Sequence, residues 1–168
     1  RRSGGLGHVA GVTDVDTALT VGEHLRERAR LERRFGGPVR DLLRPRAERA
    51  ATARLRIDAA LSAAGLDLAS LPKGSRTAVR DLERLEALRV SVALALIGRP
   101  RLLGVDDADL KLSDAERAEA WALLRSVAEA GTTVVAVCSE APDDTVAVTT
   151  SPTAGREKAD AIAETGRS

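Results

Sequence analysis

Aromatic residues, cysteine and histidine are scarce in this chain of 168 residues, and each shortage argues against a class of site. Phe35 and Trp121 are the only aromatic residues, which argues against a stacking platform for single-stranded nucleic acid. Cys138 is the only cysteine, so an internal disulfide and a cysteine-rich zinc site are excluded. The two histidines, His8 and His24, are too few for a metal centre built from imidazoles.

Long apolar runs are also missing. No stretch of the sequence approaches the roughly 20 apolar residues that a membrane span needs, and no signal peptide is visible. We therefore expect a cytoplasmic protein. The length is sufficient for one domain with a hydrophobic core. Because the chain starts at Arg1 rather than at methionine, we expect a fragment or a processed form.

The formal net charge of +1 hides an uneven distribution of arginine. Arginines concentrate in residues 26–56, where they could face nucleic acid or anionic lipid. However, Glu23, Glu27, Glu32 and Glu48 are interleaved with them and can form pairs along a helix. This interleaving favours a solvated helical face, and we expect no nucleic-acid partner.

Helical patterns dominate the first half of the chain. Thr20 and Glu23 have the spacing of a capping box, which predicts a helix ending near Gly36. Good helix formers between Pro45 and Gly65 predict a second helix. A third helix is predicted over residues 77–96.

The second half has a different pattern. Residues 102–105 form a short apolar run that predicts a buried strand. Ser113 and Glu116 form another capping box, which predicts a helix to about Ala130. The β-branched run at residues 132–137 predicts a second strand. A strand, a helix and a strand in this order predict a parallel pair.

Two adjacent carboxylates, Asp106 and Asp107, directly follow the first predicted strand. Ligands of open α/β sheets bind at the carboxyl ends of the strands, so this placement suits a metal-bound phosphate. The alternative is a buried strand followed by an ordinary acidic turn, because aspartate is common in turns. The local pattern does not choose between the two.

In this order of elements, residues 10–148 resemble the nucleotide-binding domain of ATP-binding-cassette (ABC) ATPases. The most specific match is residues 89–107, RVSVALALIGRPRLLGVDD. It is similar, without a gap, to the family run RVALARALxxxPxLLLLDE that follows the signature motif. LTVGEHL at residues 19–25 resembles the family's LTVxENL, and GTTVVAV at residues 131–137 resembles the strand before the switch histidine.

The resemblance implies an α/β, P-loop NTPase-like fold with a parallel βαβ core and a helical subdomain. The core is expected to be incomplete, because the GxxxxGK[ST] phosphate loop (Walker A) is missing from these residues. Whether one lies upstream of Arg1 is left open. The resemblance implies four parts. Residues 1–19 are an opening loop or short strand with the Q-loop region near Thr13 or Asp14, and residues 20–97 are a helical subdomain with an altered signature segment. Residues 98–148 are an α/β core with a Walker B-like strand, and residues 149–168 are a flexible tail.

The resemblance also implies roles for individual residues. Asp106 takes the position of the aspartate that holds Mg²⁺, and ATP and Mg²⁺ are the implied cofactors. Asp107 takes the position of the catalytic glutamate, and its side chain is one methylene shorter, so it is a weak base candidate. Ser139 replaces the switch histidine, and Ser113 replaces the aspartate of the D-loop.

The signature motif LSGGQ corresponds to LERLE at residues 82–86. Arg84 and Leu85 replace the two glycines that let backbone N–H groups approach a γ-phosphate. Glu83 replaces the serine and would repel phosphate. Glu83 and Arg84 are therefore altered cofactor-binding positions.

The implied function is an ABC-type ATP-binding subunit or fragment associated with a membrane transporter, with weak or lost ATP hydrolysis. Its helical subdomain would contact a membrane permease. It would form a dimer with itself or with a second nucleotide-binding domain, at the inner face of the membrane. The alternative is a non-enzymatic protein-interaction module on an ABC-like scaffold that does not bind nucleotide.

Overall fold

The computed structural model of the chain describes residues 16–36 and 45–150. Residues 1–15 of the predicted opening segment, with the Q-loop position near Thr13 or Asp14, and residues 151–168 of the predicted tail lie outside these ranges. The helices and strands of the described residues are α1 (Val21–Gly36), α2 (Arg46–Ala63), α3 (Arg84–Leu96), β1 (Leu102–Val105), α4 (Asp114–Glu129) and β2 (Thr133–Ala136), with short 3₁₀ turns at Leu68–Ser70, Gly74–Arg76 and Val79–Asp81.

The first helix begins as its capping box predicts. The backbone N–H and the hydroxyl of Thr20 donate to Glu23 Oε2 at 2.8 and 2.7 Å, and these bonds lower the pKa of the Glu23 carboxyl. Val21 and Leu25 are buried on the inner face. Arg28 pairs with Glu32 at 2.9 Å, and both side chains are half-buried. The solvated face of α1 instead carries Arg26, Glu27 and Arg30, which are exposed.

The boundaries of α2 and α4 also confirm the predictions. The chain leaves α2 through Gly65, whose φ of +58° suits glycine. At the start of α4, the Ser113 hydroxyl donates to Glu116 Oε2 at 2.6 Å and the Ser113 N–H donates to the same oxygen at 2.8 Å. These bonds lower the pKa of the Glu116 carboxyl.

The predicted start of the third helix is wrong: α3 begins at Arg84 rather than near Thr77. The physical reason is a contact with the chain before α1. Ala78 forms an isolated antiparallel bridge with Thr20, and the Val21 N–H donates to the Thr77 carbonyl oxygen at 3.0 Å. Because these backbone groups are already bonded, they cannot join a helical ladder.

The two strands are parallel, as predicted, and pair in register from Leu102 with Thr133 to Val105 with Ala136. Leu103 and Val105 are buried in the core, and α4 packs on β2. Their parallel pairing brings the residues after both strands to the same edge. This edge is where the sequence places the candidate site.

A single cluster of buried apolar residues joins the helices to the strands. Helix α3 packs against α1, α2 and α4, and Arg89 Nη2 donates to Glu119 Oε2 of α4 at 2.6 Å. None of the helices within the described ranges is long and apolar enough to cross a membrane. The division of the chain into domains stays a prediction.

Candidate functional site

Asp106 and Asp107 lie where β1 ends, and both are exposed. The Asp107 N–H donates to Asp106 Oδ1 at 3.0 Å. Asp107 has a φ of +50°, in the left-handed region that aspartate tolerates better than most residues. The Leu110 N–H then donates to the Asp107 carbonyl oxygen at 3.2 Å and closes a turn. Strand β1 therefore ends in a sharp turn with two solvent-accessible carboxylates.

Arg84, in the first turn of α3, donates hydrogen bonds to the turn that follows β1. Its Nη2 donates to the Asp107 carbonyl oxygen at 3.2 Å, and its Nε donates to the Leu110 carbonyl oxygen at 3.1 Å. The structure thus brings together two positions that the sequence analysis selected, Arg84 and Asp107. The guanidinium is engaged with backbone of the same chain, an interaction that the sequence did not reveal.

Glu83 lies at the start of α3, where a helix attracts negative charge through its free N–H groups. The Glu83 N–H donates to Glu86 Oε2 at 2.9 Å. Two carboxylates of the chain itself therefore lie at the end of the helix at which the ABC pattern expects a phosphate. The first turn of α3 does not fit a γ-phosphate.

Ser139 lies just after β2 and is exposed. Its N–H donates to both carboxylate oxygens of Asp109, at 3.1 and 2.9 Å. The Glu140 N–H donates to Asp109 Oδ2 at 3.2 Å. Asp109 is only 7% exposed. Asp109 could not be singled out from the sequence, because a third acid close to Asp106 and Asp107 carries no signal that its side chain is buried.

Cys138 lies between β2 and Ser139 and is half-buried. Burial, and to a lesser extent the negative charge of Asp109, raise the pKa of its thiol. A raised pKa lowers the fraction of thiolate, which is the nucleophilic form of cysteine, so this environment does not activate Cys138.

Among residues 16–36 and 45–150, no three histidine, cysteine or acidic side chains lie together as metal ligands. This arrangement excludes a metal cage made of those residues alone. Mg²⁺ in nucleotide sites is held by one or two carboxylates together with phosphate oxygens and water. The exposed carboxylate of Asp106 fits that kind of coordination, with Asp107 beside it.

No protein-family model and no curated protein matches the sequence. Solved structures do match. A dimeric post-hydrolysis state of the ATP-binding cassette MJ0796, bound to ADP and Pi, shares 21% identity over 79% of this chain with a TM-score of 0.53. A dimeric structure of MJ0796, described as a bacterial ABC transporter cassette, shares 22% identity over 76% of this chain with a TM-score of 0.53.

A third match is a bacterial Atm1-family ABC exporter with ATP bound, at 23% identity over 77% of this chain and a TM-score of 0.50. The chain spans 49–50% of the MJ0796 chains and 20% of the exporter chain. Identities this low establish the fold alone. The predicted fold class is confirmed: the chain has the P-loop NTPase-like fold of ABC ATPase nucleotide-binding domains, over about half of a cassette.

Proposed function

We propose that this chain is an ABC-type ATP-binding subunit or fragment that works with a membrane transporter and has weak or lost ATP hydrolysis. The observation that carries the proposal is the exposed Asp106 at the carboxyl end of β1, within an ABC ATPase fold. In open α/β sheets, this end of the strands is where ligands bind. The resemblance of residues 89–107 to the family run, in which Asp106 corresponds to the aspartate that holds Mg²⁺, supports the proposal.

In this proposal, Asp106 would help to hold Mg²⁺, with the remaining ligands supplied by ATP phosphates and water. Asp107 is the weak base for the attacking water, because its carboxylate is one methylene shorter than that of a glutamate. A displacement of about 1 Å can cost about a hundredfold in rate. Ser139 stands at the switch position, and a hydroxyl does not reach as far as an imidazole. These two changes support slow or absent hydrolysis.

The proposed partners are a membrane permease, bound through the helical subdomain, and a second nucleotide-binding domain or a second copy of the chain. The MJ0796 cassettes are dimeric, and the Atm1-family protein is an exporter, which supports both partners by analogy. This arrangement would place the chain on the cytoplasmic side, at the inner face of the membrane. Nucleic acid is not a proposed partner.

The second candidate is an interaction module that binds no nucleotide. It is favoured by the first turn of α3, where Glu86 bonds the Glu83 N–H and Arg84 is engaged with backbone carbonyls. In this alternative, the aspartates after β1 form only a turn. The two candidates share the fold and differ in whether Asp106 has a ligand.

Nucleotide-dependent thermal stabilisation separates the two. In the full-length protein, Mg²⁺ and ATP at 100 times the dissociation constant are expected to stabilise the fold by about 2.7 kcal/mol. Asp106→Asn should remove the part of this stabilisation that depends on Mg²⁺. Asp58→Asn, which changes an exposed carboxylate on α2, is the matched control and should leave it unchanged. If millimolar ATP and Mg²⁺ give no shift, the ATP-binding proposal fails and the interaction module stands.

A further inference from the structure

We propose that Asp109 is a positioning residue, which fixes the segment that carries Ser139 against the turn that carries Asp106 and Asp107. The inference deepens the proposed function and rests on it, because only that proposal gives the segment with Ser139 a role at an ATP site. The hydrogen bonds that carry it do not depend on nucleotide. We call the Asp109 carboxylate with the N–H groups of Ser139 and Glu140 the Asp109 bridge.

The burial of Asp109 gives the first argument. A carboxylate that is 7% exposed is stable only if hydrogen bonds or opposite charges replace its water. In the structure, the N–H groups of Ser139 and Glu140 supply these bonds, at 2.9 to 3.2 Å. Such charge-assisted bonds are stronger than bonds between neutral groups. Two successive backbone N–H groups on one anion therefore fix the start of this segment.

The backbone beside the bridge gives the second argument. Beyond the two strands, the Val137 N–H donates to the Val105 carbonyl oxygen at 2.8 Å, and the Ala108 N–H donates to the Val137 carbonyl oxygen at 3.0 Å. Asp109 follows Ala108 directly, so its side chain continues this pairing to Ser139 and Glu140. The turn after β1 and the segment after β2 are thus joined at successive points.

The consequence concerns how the candidate site responds to a ligand. Asp107 and Asp109 belong to the same turn, which Arg84 holds at the Asp107 carbonyl oxygen. A ligand that moves the backbone at Asp107 would therefore move Asp109. Through the Asp109 bridge, it would also move Ser139. A residue that only filled the core would contribute stability without this coupling.

Amide hydrogen exchange tests the bridge directly. Asp109→Ala removes both acceptor oxygens, whereas asparagine would keep one that could still bond both N–H groups. The amides of Ser139 and Glu140 are expected to exchange about tenfold faster or more in Asp109→Ala. Asp143→Ala removes an exposed carboxylate in the next turn and should leave both rates unchanged. Unchanged rates at Ser139 and Glu140 in Asp109→Ala would overturn the proposal.

If Asp109→Ala does not fold, hydrogen exchange in the unaltered protein still tests the bridge. Its Ser139 and Glu140 amides are expected to exchange at least about tenfold more slowly than those of Val146 and Ala147 in the exposed stretch that follows. Equal rates at the four amides would contradict the bridge.

The positioning role has its own readout, the change of backbone amide chemical shifts on addition of Mg²⁺ and ATP. In the unaltered protein, shifts are expected at both Asp107 and Ser139. In Asp109→Ala, the shift at Asp107 should persist and the shift at Ser139 should be lost. A shift of equal size at Ser139 in the variant would refute the role. No shift in either protein would instead contradict the proposed function, and the exchange rates would then decide on the bridge.

Discussion

The buried faces of α3 and β1 differ in kind from the exposed ends of the same two elements. The faces consist of aliphatic side chains such as Val92 and Leu103, which are fully buried. The ends carry Arg84 at the start of α3 and Asp106 and Asp107 after β1, and these side chains bond backbone groups or face solvent. The faces determine how the chain packs, and the ends determine what it can bind. The two properties are therefore separable by mutation.

The largest expected effect is on stability, from a substitution in the buried faces. Leu103→Ala should lower the free energy of unfolding by about 2–5 kcal/mol, because Leu103 is 0% exposed and a cavity would remain. Leu55→Ala, at a leucine 69% exposed on α2, is the matched control and should stay within about 0.5 kcal/mol. Urea denaturation of both variants measures the difference. Equal losses would contradict the assignment of the core.

The next effect is on the rate of ATP hydrolysis, from substitutions of Asp107 at the exposed end of β1. If hydrolysis occurs, Asp107→Glu should raise the single-turnover rate of ATP hydrolysis by up to about a hundredfold, because the longer side chain restores the reach of the base. Asp107→Asn should abolish hydrolysis, since an amide cannot accept the proton. An unchanged rate in both variants would remove Asp107 from this role.

Some features of the fold and of the candidate site could be predicted from the sequence, and others could not. The helices α1, α2 and α4 and both strands could be predicted because capping boxes, glycines and β-branched runs are local signals. The start of α3 could not, since it depends on the pairing of Ala78 with Thr20, far away in the sequence. The bonds of Arg84 and Asp109 likewise join distant segments, so no local pattern reveals them.

A smaller effect compares the starts of α3 and α4. Both have a backbone N–H bonded to a glutamate three residues later. Ser113→Ala should lower stability by about 1 kcal/mol, because it removes the capping hydroxyl. Glu86→Gln should change it by no more than about 0.5 kcal/mol, since the amide oxygen can still accept the bond. Thermal unfolding followed by circular dichroism distinguishes the two. A larger loss in Glu86→Gln would show that the charge itself holds the start of α3.

The smallest effect is a dependence on pH. Hydrogen bonds lower the pKa of Glu23 and of Glu116 from their ordinary value of 4.5. Because the pKa is lower in the folded than in the unfolded state, these groups stabilise the fold above the unfolded value. Their contribution is lost as the pH falls below 4.5 through the folded values. The melting temperature should therefore decline less steeply in Ser113→Ala than in the unaltered protein. Parallel declines would refute this contribution.

The central proposal is that Asp106, at the carboxyl end of β1, would help to hold the metal ion of a bound ATP. Mn²⁺ favours the same oxygen ligands as Mg²⁺ and is paramagnetic, so it can report its own position. With Mn²⁺ and ATP, amide resonances around Asp106 and Asp107 should broaden most, and Asp106→Asn should abolish the broadening. Broadening that is absent, or equally strong in Asp106→Asn, would contradict the claim.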